Sequence, residues 1–244
     1  MIIKLDLCVT LRCNAYCINC IRFCNMKKVT GLDYSDSDMT MAQTDNFVEE
    51  IKGHEGRVLI RSLNVSGGEP LLHPNIVEII NKLEELRGYG FVRTLTINYN
   101  LLLPVPDALQ KYIIHYVKMK NRPRRHQAVL LHPNDFGGAN RAYKECTHGR
   151  KTTWVLTYQG YSMCCAADGY IRLFGMEDLL FDKLPIGISE QMDKVCWHCP
   201  FGSEDILPYE IDVCCPVSDI YEEEAEKNHS GRTIIKRFPE RSSV

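Results

Sequence analysis

The chain has 244 residues, enough for one barrel-sized domain or a smaller one with an appendage. Its 29 basic and 31 acidic side chains nearly cancel, which excludes a global field directed at nucleic acid or an acidic membrane. There is no apolar run of about eighteen residues, and Met1 to Asp6 lacks the basic and apolar regions of a signal peptide, so a cytoplasmic location with no membrane partner is expected.

Ile2 to Val9 alternates well enough to form a first strand. Directly behind it, Cys13, Cys17 and Cys20 are spaced Cys-x3-Cys-x2-Cys. Iron–sulfur cubes are normally held by four thiolates, so three on one loop leave one iron for an outside ligand that brings an amine and a carboxylate. The bland alternative is a zinc knuckle, but zinc sites usually draw on two CxxC-like pairs. A polar stretch up to Ser37 and Asp38 carries turn and N-cap residues. A helix follows to about Lys52, with Phe47, Val48 and Ile51 on one face. Val58 to Val65 reads as a second strand that ends in Ser66-Gly67-Gly68-Glu69-Pro70. Two glycines let the backbone approach a ligand, and Glu69 offers a fixed carboxylate to an ammonium group. His73-Pro74 then opens a helix with Pro74 in its first turn and an apolar stripe of Ile76, Ile79, Ile80, Leu83 and Leu86. Phe91 to Asn98 is a third strand, Asp107 to Lys111 a short helix, and Ile113 to Met119 and Gln127 to His132 a fourth and fifth strand. Alternating strands and helices imply parallel βα units, whose ligand sites lie at the carboxyl ends of the strands. Both motifs fall there.

The Cys13, Cys17, Cys20 loop and the Gly67-Gly68-Glu69 turn, each behind a strand and about fifty residues apart, resemble the radical S-adenosylmethionine superfamily. The resemblance implies an α/β fold with a partial, open (β/α)6 barrel over residues 1–135, trimmed here because the helices after the third to fifth strands look short. It implies a 4Fe-4S cluster on Cys13, Cys17 and Cys20, with S-adenosylmethionine chelating the open iron and oriented by Gly67, Gly68 and Glu69. It further implies a 5′-deoxyadenosyl radical that removes a substrate hydrogen, and an external electron donor such as flavodoxin or ferredoxin. Asn98 stands where many members carry an Asn-Gly turn. Tyr99 replaces the glycine, so the turn differs, and Asn98 as a cofactor contact or as a plain turn former both stay open. Asn19 replaces an aromatic usual in the family, with Ile18 or Tyr16 to compensate in holding adenine.

Beyond Cys146 the character changes. Thr152 to Tyr158 is a strand, Gln159-Gly160 a turn, and Tyr161 to Cys165 a returning strand, followed by Cys196-Trp197-His198-Cys199. Cys146, thirteen residues, Gly160, four residues, Cys165 is similar to the opening of SPASM and twitch extensions. With one later CxxC, the resemblance implies a small twitch-like hairpin and helix domain over residues 136–218. A second, auxiliary 4Fe-4S cluster would be held by Cys146, Cys165, Cys196 and Cys199. Cys164 competes with Cys165, since on a strand the two point to opposite faces and only one can ligate. Structural zinc in the same four-cysteine site is the other reading. Cys214 and Cys215 lack a partner pair, and Cys8 and Cys24 read as structural.

Lys118 to His126 is the most basic stretch and suits a solvated loop or phosphate recognition in a nucleotide or nucleic acid. His132, Asp135 and Asp168 are candidate proton acceptors, though each also suits a turn or cap. Asp219 to Asn228 reads as an exposed acidic helix within a tail segment, residues 219–244. The functional expectation is a radical S-adenosylmethionine oxidoreductase or isomerase. The alternatives are a nucleic-acid-modifying or peptide-modifying enzyme of the same class, and a non-catalytic metal-binding protein.

Overall fold

The computed structural model describes residues 1–15, 20–24, 33–54, 56–113, 153–185, 191–199 and 219–229. They form a mixed α/β fold on one five-stranded sheet, in the order β3-β2-β1-β4-β5. The strands are β1 (Ile2–Thr10), β2 (Leu59–Gly67), β3 (Leu95–Ile97), β4 (Thr153–Thr157) and β5 (Gly160–Ser162). The first four run parallel, and β5 turns back against β4 as a hairpin.

Burial alternates along the central strands. Leu5 and Leu7, Leu63 and Val65, and Leu95 and Ile97 are buried, while Asp6, Asn64 and Thr96 face the other way in one cross-strand row. The apolar face is covered by helices α1 (Met41–Gly53) and α2 (Ile76–Gly88). Phe47, Val48 and Ile51 from α1, and Ile79, Ile80, Leu83 and Leu86 from α2, join the strand residues in a single core. Each helix thus buries the stripe its sequence announced.

Several elements differ in their bounds. Helix α1 is capped by Thr40, whose hydroxyl accepts from Gln43 while the Gln43 side chain accepts from the Thr40 amide. Ser37 and Asp38 instead brace the exit of β1. A 3-10 turn, Pro70–Leu72, intervenes before α2, so Pro74 precedes the helix and does not sit in its first turn. The third strand shrinks to Leu95–Ile97, with an isolated parallel bridge from Val92 to Ile60. The short helix at Asp107 is a 3-10 helix, Asp107–Tyr112, and Ile113 bridges Ile97 in parallel. The rest of the expected fourth strand, the fifth strand, Lys118 to His126, His132 and Asp135 lie outside the described residues.

The later hairpin forms, but its first strand is not set apart from the sheet. β4 pairs with β1 over Lys4–Leu7 and Thr153–Leu156, so the sheet draws on both sides of residue 135. The returning strand stops at Ser162, and Cys165 starts helix α3 (Cys165–Leu173). The expectation of Cys164 and Cys165 on a strand is therefore corrected. Cys164 is the N-cap, its sulfur accepting from the amide of Ala167 at 3.4 Å, and a cap at that point ends the strand. Three short elements follow, the 3-10 turn Glu177–Leu179, α4 (Gln191–Val195) and the 3-10 turn Cys196–His198. The acidic segment forms α5 (Asp219–His229), anchored by Tyr221, which is buried against Tyr170 and donates to the carbonyl of His198 at 2.6 Å.

His73 ties the start of α2 to the approach to α1. Its Nε2 donates to the carbonyl of Met39 at 2.9 Å, and its Nδ1 accepts from the amide of Asn75 at 3.1 Å. Burial lowers its pKa from the ordinary 6.5, because the charged ring loses its solvation and this outweighs the opposing pull of the bond to Met39. The contribution to stability is complete above pH 6.5 and is lost as pH falls through that value towards the lowered one. Thermal unfolding midpoints should therefore drop between about pH 7 and about pH 5. The drop should be smaller in His73→Gln, and an equal drop in both proteins would remove His73 as its source.

Candidate metal and cofactor site

The end of β1 is fixed before the first cysteine is reached. Thr10 Oγ1 donates to Asp38 at 2.6 Å, and the Arg12 guanidinium takes both Asp38 oxygens at 2.9 and 2.7 Å and the carbonyl of Leu72 at 2.7 Å. The amide of Leu11 donates to Ser37 Oγ at 3.0 Å. Arg12 is therefore the residue that aims the loop carrying Cys13, a role sequence reasoning missed. Its only signal was a charged residue beside the first cysteine.

Gly67 and Gly68 were expected to admit a ligand. Their nearest neighbour is the chain itself: a Cβ on Gly67 would collide with the carbonyl of Thr10, and one on Gly68 would meet Leu11 O at 2.6 Å. Amides of Gly68 and Glu69 donate to the carbonyls of Thr10 and Arg12, both at 2.8 Å. The turn after β2 is thus zipped to the base of the cysteine loop, and only glycine lets two backbones lie so close.

Glu69 is buried, and its carboxylate accepts from the amides of Leu71 at 2.9 Å and Asn100 at 2.7 Å. Burial raises its pKa despite both bonds. A carboxylate has about four acceptor positions, so Glu69 keeps capacity for a cation. Asn100 is the second missed residue. Its amide nitrogen donates to Asn14 Oδ1 at 2.6 Å and approaches Cys13 Sγ at 3.9 Å. Asn98 lies at the end of β3, its amide bonded to the carbonyl of Val65 at 2.9 Å. In the turn that follows Tyr99 the left-handed position falls on Leu101 (φ 67°), whose neighbour Leu102 donates to Asn100 Oδ1 at 3.0 Å.

Cys13 and Cys20 lie within electrostatic reach of each other, and Cys17 lies outside the described residues. Burial pushes the Cys13 thiol up. Cys20 is lowered to about 6, chiefly by a hydrogen bond from the thiol of Cys24, which is itself pushed up by that bond and by burial. Cys24 therefore supports a thiolate at Cys20. Cys8, fully buried in β1, is pushed up to about 12 by burial and is inert core.

Between this loop and helix α3 lies a buried ion network. Arg22 pairs with Asp6 of β1, with Asp168 of α3 at 3.1 Å and with Ser66 Oγ at 3.2 Å. Asp168 in turn accepts two bonds from Arg172, at 2.5 and 2.7 Å. Asp168 is thus an ion-pair partner, not a free proton acceptor.

Among the second cysteines, the Cys164 thiol lies within electrostatic reach of Cys199 and Cys196, whereas Cys165 responds to Arg22, Asp6 and Asp168. Burial is the main cause that raises both. His198 stacks on Phe174 with centroids 4.0 Å apart, which fixes the Cys196–His198 turn beside α3. Cys146, Cys214 and Cys215 lie outside the described residues. Among the described residues, no three His, Cys, Asp or Glu side chains converge closely enough to hold a metal ion. In donor chemistry both groups supply thiols: a lowered Cys20 within electrostatic reach of Cys13 in one, and Cys164 within electrostatic reach of Cys196 and Cys199 in the other.

No family model matches the chain. It is 30% identical over 109 residues, 44% of this chain and 32% of the relative, to a probable GTP 3′,8-cyclase of Methanothermobacter marburgensis. It is 30% identical over 103 residues, 42% of this chain and 28% of the relative, to a GTP 3′,8-cyclase of Limosilactobacillus fermentum. The matches span about a third or less of these curated relatives. The cysteine spacing, the Gly67-Gly68-Glu69 turn bonded to the base of that loop, and this similarity together support the resemblance to the radical S-adenosylmethionine superfamily.

Proposed function

We propose that the chain is a radical S-adenosylmethionine enzyme with two cysteine-held iron–sulfur groups, acting on a small nucleotide. The observation that supports it most is the junction of Cys13, Glu69 and Asn100, where a thiol, a buried carboxylate and an amide meet at the carboxyl ends of parallel strands. Cys13, Cys17 and Cys20 would hold the first 4Fe-4S group. When bound, it supplies the electron that cleaves S-adenosylmethionine to the adenosyl radical, drawn from a donor such as flavodoxin or ferredoxin. Glu69 binds the methionine ammonium with the acceptor capacity its two amide bonds leave, and Gly67 and Gly68 hold it at the right depth. Asn100 orients Cys13 and Asn14, and Arg12 with Asp38 keeps the loop from swinging away.

The second group would be held by Cys146, Cys196 and Cys199, with Cys164 in place of the expected Cys165, since Cys164 is the one in reach of the pair. In this reading residues 1–113 and β4 belong to a trimmed partial barrel, and α3 to α5 to a twitch-like extension. The relatives' names specify GTP, and the basic stretch Lys118 to His126 offers guanidinium groups for phosphate. This favours a nucleotide over a peptide or a nucleic-acid polymer.

Iron, sulfide and zinc analysis after anaerobic reconstitution, with assay of 5′-deoxyadenosine, tests the reading. The unaltered chain should bind about eight irons. A C13A/C20A variant should keep about four and make no 5′-deoxyadenosine, and a C196A/C199A variant should keep the other four. A C165A variant should retain the full complement, and loss of iron there would restore Cys165 as the ligand. About four irons and one zinc in the unaltered chain would make the second site structural. Iron-loaded protein that leaves S-adenosylmethionine intact under strong reductant would refute the enzyme reading.

A further inference from the structure

The two cysteine groups belong to segments far apart in sequence, yet one contact joins them. Arg22 lies two residues beyond Cys20, and Asp168 three residues beyond Cys165. Their side chains pair at 3.1 Å, Asp168 fully buried and Arg22 nearly so. Arg172, one helical turn further along α3, grips the same carboxylate through both its oxygens. Tyr34 closes the arrangement, donating to the carbonyl of Arg22 at 3.3 Å and lying 3.4 Å from Arg172 Nε with its ring beneath the guanidinium.

Backbone packing adds a second, uncharged observation at the same place. A Cβ on Gly169 would lie 2.5 Å from the carbonyl of Ile21 and 3.0 Å from the ring of Phe23. Helix α3 therefore rests directly on the loop that follows Cys20. Phe23 also meets Tyr170 edge to face, with centroids 5.5 Å apart. Phe23 itself is held at φ 56°, a conformation a bulky side chain keeps only when its surroundings impose it.

We infer that Arg22, Asp168 and Arg172 form a latch that fixes the first cysteine loop to the helix bearing the second cysteine group, so that the two thiol sites are organised as one unit. Arg22 is a positioning residue: it sets where Cys20 stands by anchoring the next turn of chain. Order at one site then supports order at the other. This deepens the two-site reading above, but its test uses the reduced, metal-free protein and so stands or falls separately from it.

The experiment is the rate of alkylation of each cysteine by N-ethylmaleimide, read by peptide mass spectrometry. In Asp168→Asn, altered only on α3, Cys20 should be labelled about tenfold faster or more, as expected when a local opening loses a charge-assisted bond. Cys8, buried in β1, should keep its slow rate. Arg22→Gln should act alike from the other side and speed labelling of Cys164, and Arg22→Lys should recover part of the protection. If Asp168→Asn opens the whole chain, so that Cys8 is labelled as well, Gly169→Ala probes the same contact by steric wedging and should free Cys20 while Cys8 stays slow. A folded Asp168→Asn or Gly169→Ala protein in which Cys20 reacts at the unaltered rate overturns the latch.

Discussion

Arg172→Leu should cost about 3–5 kcal/mol of stability, a large part of what a domain of this size possesses, and denaturant unfolding should show it as a midpoint shifted strongly downward. The guanidinium is fully buried, and burial works against its charge, yet Asp168 and Tyr34 raise its pKa well above the ordinary arginine value. Removing it leaves the buried Asp168 carboxylate with Arg22 as its remaining ionic partner among the described residues and the Tyr34 hydroxyl without its neighbour. A lost partner is more damaging than a lost pair, because the surviving charge keeps its desolvation cost. The double variant Arg172→Leu with Asp168→Leu should therefore recover part of the loss. A double variant less stable than the single one would mean that the network's shape matters more than its charge balance.

Gly68→Ala should cost about 1–3 kcal/mol in stability and, under the proposed function, lower the rate of 5′-deoxyadenosine formation about a hundredfold. The added methyl would press on the carbonyls of Leu11 and Arg12, the backbone that delivers Cys13, and would lift Glu69 from its bonds with Leu71 and Asn100. Iron content should fall little, since no thiol is removed, and the defect should appear as weakened S-adenosylmethionine binding by equilibrium dialysis. Unaltered turnover in Gly68→Ala would show that the zipped backbones tolerate displacement and that Glu69 does not need its depth.

Elements with regular periodicity were legible in the sequence. The stripe Ile76, Ile79, Ile80, Leu83, Leu86 gave α2, and alternation gave β1 and β2, because burying one face is a local decision written at a fixed spacing. The strand Thr153–Thr157 was legible as a strand but not as the neighbour of β1, since nothing local encodes which edge of a sheet a distant strand joins. Helix α3 was missed because Cys164, as an N-cap, is unusual, and because Tyr161 and Ser162 carry strand propensity up to its threshold. At the site, the spacing picked out Glu69, which the structure buries beside the base of the cysteine loop. It did not pick out Arg12, Arg22 and Asn100, since their roles depend on partners 26, 146 and 31 positions away in Asp38, Asp168 and Glu69.

β1 lies at the middle of the sheet, and one of its two neighbours is made late. Leu5 pairs with Leu63 on one side but with Trp154 on the other. At about 5–20 residues per second of synthesis, roughly 7–30 seconds separate β1 from the strand that closes its open edge. Through that interval the first cysteine loop hangs from a half-paired strand, without α3 against it. The bracing of that loop by α3 is therefore a late event in the life of the chain, because Asp168 and Gly169 are made only after β4.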